Sequence, residues 1–209
     1  MFKSQFSSYF CRNLFLMKII SRLVLKLIGW KIEGEIPKEV KKCVILAAPH
    51  TSNWDFVIGR LSYWSLQVPV KFLIKKEVFD HPLGFLVKKM GGIPVDRHKS
   101  THMVEQVAEL FNEHEILNVI ITPEGTRKLV TNWKRGFYFI ALRAKVPIVM
   151  GFVDYKTKQG GFGPVLYPTG DYDADLKIIE AFYRTKTAKH PEKFSLSVEN
   201  KAAENQATN

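Results

Sequence analysis

Apolar residues fall into two patterns along the chain. Short, predominantly apolar stretches at 43–48, 70–74, 118–122 and 146–153, with a shorter one at 92–95, read as strands, the first of them an unbroken apolar run. Between them apolar positions recur at helical spacing and predict helices over 54–66, 78–90, 100–114, 133–144 and 173–186. Ser52 or Asn53 stands where the first of these needs an N-cap, since a short polar side chain there accepts from free backbone N–H groups. Strands alternating with helices predict an α/β fold: one domain with a largely parallel central sheet flanked by helices. A length of 209 residues suits one such domain.

The first 31 residues differ from the rest. They carry Lys3, Arg12, Lys18, Arg22, Lys26 and Lys31, and the first acid is Glu33. Lys18, Arg22 and Lys26 recur every four residues and draw one polar stripe along a helix, with Leu16, Ile19, Ile20, Leu23, Leu27 and Ile28 around it. Charges interrupt the apolar run too often for a spanning helix, which needs roughly 20 largely apolar residues, and no small-residue cleavage site marks a signal peptide. The segment reads as an amphipathic basic helix in a membrane interface, apolar groups and Trp30 toward the acyl boundary and cations toward anionic headgroups. A helix packed on the protein's own core would show the same periodicity. The expected organisation is an interface segment at 1–31, a globular domain at 32–190 and a polar, flexible tail at 191–209.

Composition narrows the function. With 46% hydrophobic residues the chain can fill a core, which excludes disorder as its class. Lys and Arg number 31 against 20 acids, and the resulting +11 attracts phosphates on nucleic acid, lipid or metabolite. No basic stripe is interleaved with stacking aromatics, so nucleic acid is not the expected partner. Cys11 and Cys43 form neither a disulfide framework nor a zinc pattern, which fits a reducing compartment.

Three polar clusters directly follow strands, where ligands bind in open α/β sheets. In His50-Thr-Ser-Asn-Trp-Asp55 a turn can fold the carboxylate back onto the imidazole, fixing its tautomer and leaving the other ring nitrogen as a base; a capping Asp beside an unremarkable His is the plainer alternative. In Glu124-Gly125-Thr126-Arg127, Gly125 permits close backbone approach, Thr126 offers a hydroxyl, Arg127 presents a fork suited to phosphate oxygens, and Glu124 either steers Arg127 or accepts from a substrate hydroxyl. Arg97 ends the short strand at 92–95 and supplies a second cation. His98 and His102 share a helical face without a third ligand, so no metal is expected. Gly-rich nucleotide fingerprints and the Gly-x-Ser-x-Gly elbow are missing, which weighs against phosphoryl transfer and a serine esterase.

Taken in order, these clusters resemble the glycerolipid acyltransferases of the 1-acyl-sn-glycerol-3-phosphate (lysophosphatidic acid) acyltransferase type. The family's His-x4-Asp motif matches His50 and Asp55, with Ser52 in its usual place, and its Glu-Gly-Thr-Arg motif matches 124–127 after Pro123. Gly92 to Arg97 is similar to its second motif, Lys76-Glu77 with Pro82 and Gly84 to the segment before it, and Val146-Pro147 to its fourth. Pro49, Lys128, Met150 and Ile93-Pro94 depart from the usual residues near the acceptor and acyl sites and leave the catalytic pair untouched. The resemblance implies transfer of a fatty acyl chain from an acyl-CoA or acyl carrier protein thioester to the free hydroxyl of a lysophospholipid, foremost 1-acylglycerol-3-phosphate, giving phosphatidic acid. It makes His50 and Asp55 catalytic and puts Lys76, Arg97, Glu124, Gly125, Thr126 and Arg127 at the substrate, with no cofactor beyond the thioester. It also implies a monotopic, peripheral protein on an anionic bilayer at the cytoplasmic face. The competing expectations are an O-acyltransferase for another lyso-lipid, such as an aminoacyl lipid, and a non-enzymatic membrane binder.

Overall fold

The computed structural model describes residues 2–81, 84–95 and 100–197. In chain order its elements are α1 (Phe2–Leu27), β1 (Lys31–Glu33), β2 (Lys42–Ala48), α2 (Asn53–Ser65), β3 (Lys71–Lys75), α3 (Gly84–Lys89), β4 (Gly92–Val95) and α4 (Ser100–Glu113). There follow β5 (Leu117–Ile121), α5 (Gly136–Ala144), β6 (Ile148–Asp154), β7 (Gln159–Leu166) and α6 (Tyr172–Tyr183), with short 3-10 turns at Lys76–Val78 and Pro191–Lys193.

Period-two alternation in β2 organises the core. Val44, Leu46 and Ala48 pack with Phe111 of α4, Phe137 of α5 and Tyr183 of α6, while Cys43 and Ile45 pack with Tyr63 of α2 and Phe162 of β7. Both faces of β2 are thus covered, as a strand inside a parallel sheet requires. The seven strands run in the order β1-β7-β6-β2-β5-β3-β4. β2 pairs in parallel with β5 and β6, β3 pairs in parallel with β5 and β4, and β1 pairs in parallel with β7. The β6–β7 hairpin is the antiparallel exception. This is the expected α/β domain with a largely parallel sheet.

Several boundaries depart from the sequence pattern. The helix expected at 78–90 is a 3-10 turn followed by the short α3, the next-to-last helix starts three residues late, at Gly136–Ala144, and the last ends three residues early, at Tyr172–Tyr183. Strands β1 and β7 were not anticipated. Within the first 31 residues, α1 packs against α2, burying Ser21 and Leu25, and β1 begins at Lys31. Phe15, Leu16, Ile19, Ile20, Leu23 and Leu27 face outward. Nor does the packed chain stop at 190. Leu196 and Ser197 are buried, Trp133 donates through N–H to Ser197 Oγ at 2.7 Å and through Nε1 to the Ser195 carbonyl at 3.0 Å, and Ser197 N–H reaches Glu180 Oε1 at 2.7 Å. Residues 191–197 therefore belong to the domain, which corrects the expected tail at its first seven positions.

Candidate active site

The carboxyl ends of β2 and β5 are neighbours in the sheet, so the loops that leave them meet. After β2 the chain runs through Pro49 and His50 to Ser52, the N-cap of α2, whose side chain accepts from Trp54 N–H. Asp55, in the first turn, closes a capping box: its Oδ2 accepts from Thr51 N–H at 2.6 Å and Ser52 N–H at 2.7 Å. Its other oxygen, Oδ1, accepts from the Tyr155 hydroxyl at 2.8 Å. His50 Nδ1 lies 3.8 Å from Asp55 Oδ2, within ion-pair range and beyond a hydrogen bond. The carboxylate is thus both the cap and the imidazole's neighbour, so the two readings of this segment describe the same atom. Burial lowers the His50 pKa first, Asp55 works against that, and Arg127 lowers it further. The ring consequently favours the neutral form, with Nε2 on the side away from the carboxylate.

After β5, the turn Thr122-Pro123-Glu124-Gly125 closes with Gly125 N–H to the Thr122 carbonyl at 3.1 Å. Gly125 takes φ +65°, a left-handed conformation in which a side chain would be strained and would crowd the Lys134 ammonium. Glu124 turns away from solvent and accepts from His50 N–H at 2.9 Å through Oε1. Its Oε2 is buried without a hydrogen-bond partner. Burial pushes this carboxyl up to about 7, against the opposing hydrogen bonds from its own and the His50 backbone.

A cavity of about 650 Å³ opens beside both loops. His50, Asp55, Gly125, Thr126 and Arg127 line it, so these expected site residues do share one wall. Glu124 is not on that wall; it braces the His50 backbone from below. Lys76 opens an exposed 3-10 turn and is also away from the cavity. Arg97 and His98 lie outside the described residues. Three groups were missed: Arg60 and Lys134, which line the cavity, and Tyr155, which touches Asp55. Arg60 donates to the Met90 carbonyl at 2.9 Å through Nη2, and its buried Nε has no partner. The signal was there, because Phe56, Gly59, Arg60 and Tyr63 stand at i, i+3, i+4 and i+7 on α2 and all four line the cavity. Lys134 and Tyr155 reach the site through tertiary folding and have no local sequence mark. Apolar walls come from Phe72, Leu73, Ile121, Phe137, Ile140 and Phe152. A base-prepared imidazole at the rim, cations beside it and apolar walls suit proton abstraction from a substrate that carries both an anion and a hydrocarbon.

Comparison with known proteins gives two findings. A family model described as Acyltransferase matches residues 30–150. The crystal structure of the 1-acyl-sn-glycerophosphate (LPA) acyltransferase PlsC from Thermotoga maritima shares the fold at a TM-score of 0.55 and 18% identity, over 82% of this chain and 77% of that one.

Proposed function

The chain belongs to the acyltransferase family, and on that premise we propose that it moves a fatty acyl chain from a CoA or acyl carrier protein thioester to the free hydroxyl of a lysophospholipid. The acceptor that best suits the cavity is 1-acylglycerol-3-phosphate, the substrate class in the name of the similar Thermotoga maritima enzyme. The observation that carries this reading is a burial-neutralised His50, backed by Asp55, on one wall with Arg127.

His50 Nε2 takes the proton of the acceptor hydroxyl as its oxygen attacks the thioester carbonyl. Asp55 stabilises the imidazolium, the C–S bond breaks, and the departing thiolate recovers the proton. No acyl-enzyme is formed. Arg127, aided by Lys134 and by Arg97, the second cation of the sequence pattern, holds the acceptor phosphate and so aligns the hydroxyl. The outward apolar face of α1 supports a peripheral position on an anionic bilayer, where both amphiphilic substrates reside. Among the described residues no helix is long and apolar enough to cross a membrane. We place the protein at the cytoplasmic face because the thioester donors are made there.

The test is thioester consumption across a panel of lyso-lipids, with and without a phosphate and with aminoacyl headgroups, for both donors. Wild type should consume thioester with the phosphate acceptor, His50→Ala should lose at least about 10²-fold in kcat, and Arg127→Ala and Arg97→Ala should raise acceptor KM. Equal turnover in His50→Ala defeats the base assignment. An unchanged acceptor KM in both arginine variants removes the phosphate clamp and favours an aminoacyl acceptor.

A further inference from the structure

Asp55 Oδ2 receives two backbone N–H groups, which fix that oxygen and leave the other free to swing about it. We propose that Tyr155 is a positioning residue for acyl transfer: by donating to Asp55 Oδ1 it sets the plane of the carboxylate whose backbone-held Oδ2 faces His50, and shares its charge. This rests on the reading that His50 and Asp55 carry the reaction.

Tyr155 is built to hold a direction. Its own N–H donates to the Thr187 carbonyl at 2.9 Å. The preceding Asp154 is buried and accepts from Lys156 N–H, Thr187 N–H and the Thr157 hydroxyl, so the turn after β6 is pinned to the segment after α6. Trp30 stands edge-on to the Tyr155 ring at 5.1 Å, and Lys189 lies 5.9 Å from the ring centre. A side chain whose backbone and ring are both fixed aims its hydroxyl with little conformational freedom to lose, as an orienting group requires. Burial, with Asp55 adding to it, raises the phenol well above its ordinary range, so Tyr155 remains a donor and takes no part in proton transfer.

The charged and titratable groups around the imidazole are Asp55 on α2, Tyr155 after β6, and Glu124, Arg127 and Lys134 between β5 and α5. Removing the Tyr155 hydroxyl leaves Asp55 with its backbone donors and without the group that shares its charge. The His50 titration midpoint should then rise, while the freed carboxylate orients the imidazole less well.

The experiment compares full-length wild type, Tyr155→Phe and His50→Ala, measuring kcat, both KM values and the His50 midpoint by NMR. Tyr155→Phe should lower kcat about tenfold, keep both KM values within about twofold, and raise the midpoint. An unchanged kcat overturns the proposal, and so does a lower kcat with an unmoved midpoint, which would mark a structural role alone. If Tyr155→Phe does not fold, a fluorotyrosine at 155, a stronger donor in the same ring, should move the midpoint down, and no movement overturns the proposal. Wild-type turnover no greater than that of His50→Ala defeats the proposed function, a result distinct from either failure of Tyr155.

Discussion

At the scale of single residues, Glu124 couples the two active-site loops at a cost that depends on pH. Its carboxyl sits at about 7 in the fold against an ordinary 4.5, so between those values the folded chain holds a proton that the unfolded chain releases. The contribution to stability is fullest below 4.5, falls as pH rises, and has been lost once pH passes 7, a change of about 3 kcal/mol for a difference of that size. Glu124→Gln keeps an acceptor for His50 N–H and cannot ionise. Relative to wild type its melting temperature should therefore be several degrees higher at pH 8 than at pH 5, and an equal difference at both would count against the buried ionisation. At Gly125, Ala must adopt φ +65° and crowd Lys134. A stability loss of about 1 kcal/mol in urea and a raised acceptor KM are expected. That His50, Asp55 and Arg127 would meet on one wall was legible because strands end directly before the loops that carry them. Glu124 was expected toward the substrate and turns instead under the His50 backbone, since nothing local says which way a buried carboxylate turns. Tyr155 was invisible, being 100 residues from the group it touches.

Among the elements, β1 escaped the pattern because it is only three residues long, and β7 because it is rich in glycine. β7 reads Gln-Gly-Gly-Phe-Gly-Pro-Val-Leu, which in one dimension is loop composition. In three dimensions, close neighbours exclude side chains: a Cβ on Gly161 would lie 1.9 Å from the Glu33 carbonyl oxygen of β1, and one on Gly163 would lie 2.3 Å from the Phe182 ring of α6. The mostly apolar stretches of β2, β5 and β6 were readable because burial on both faces leaves little polar alternation to confuse them. Tyr183 joins elements in a way that can be measured. From α6 its buried hydroxyl donates to the carbonyls of Leu46 on β2 and Gly151 on β6, under the floor of the site. Tyr183→Phe should cost about 1–2 kcal/mol of unfolding free energy, read from urea titration, and leave KM unchanged; no loss of stability would mean the hydroxyl does not brace the sheet.

For the whole molecule, the charge of +11 and the outward apolar face of α1 act together. Phe15, Leu16, Ile19, Leu23 and Leu27 are exposed by about half or more, while Arg22 and Lys26 flank them. Replacing Leu16, Ile19 and Leu23 by Ser should weaken sedimentation with anionic vesicles at least about tenfold, since apolar burial in the interface is lost. Added salt should weaken the wild type further by screening. Vesicle binding indifferent to all three substitutions would leave α1 as a purely structural helix.

The inner side of that helix bears on how such experiments are designed. Leu25 fills a nook with Ile58 and Val153, and Trp30 stands against the tyrosine that touches Asp55. Cutting the gene after codon 31 would strip this lining together with the greasy exterior. A truncated preparation that stays in the supernatant and turns over nothing would confuse lost anchoring with a collapsed pocket, so point changes on the outer side are the cleaner instrument.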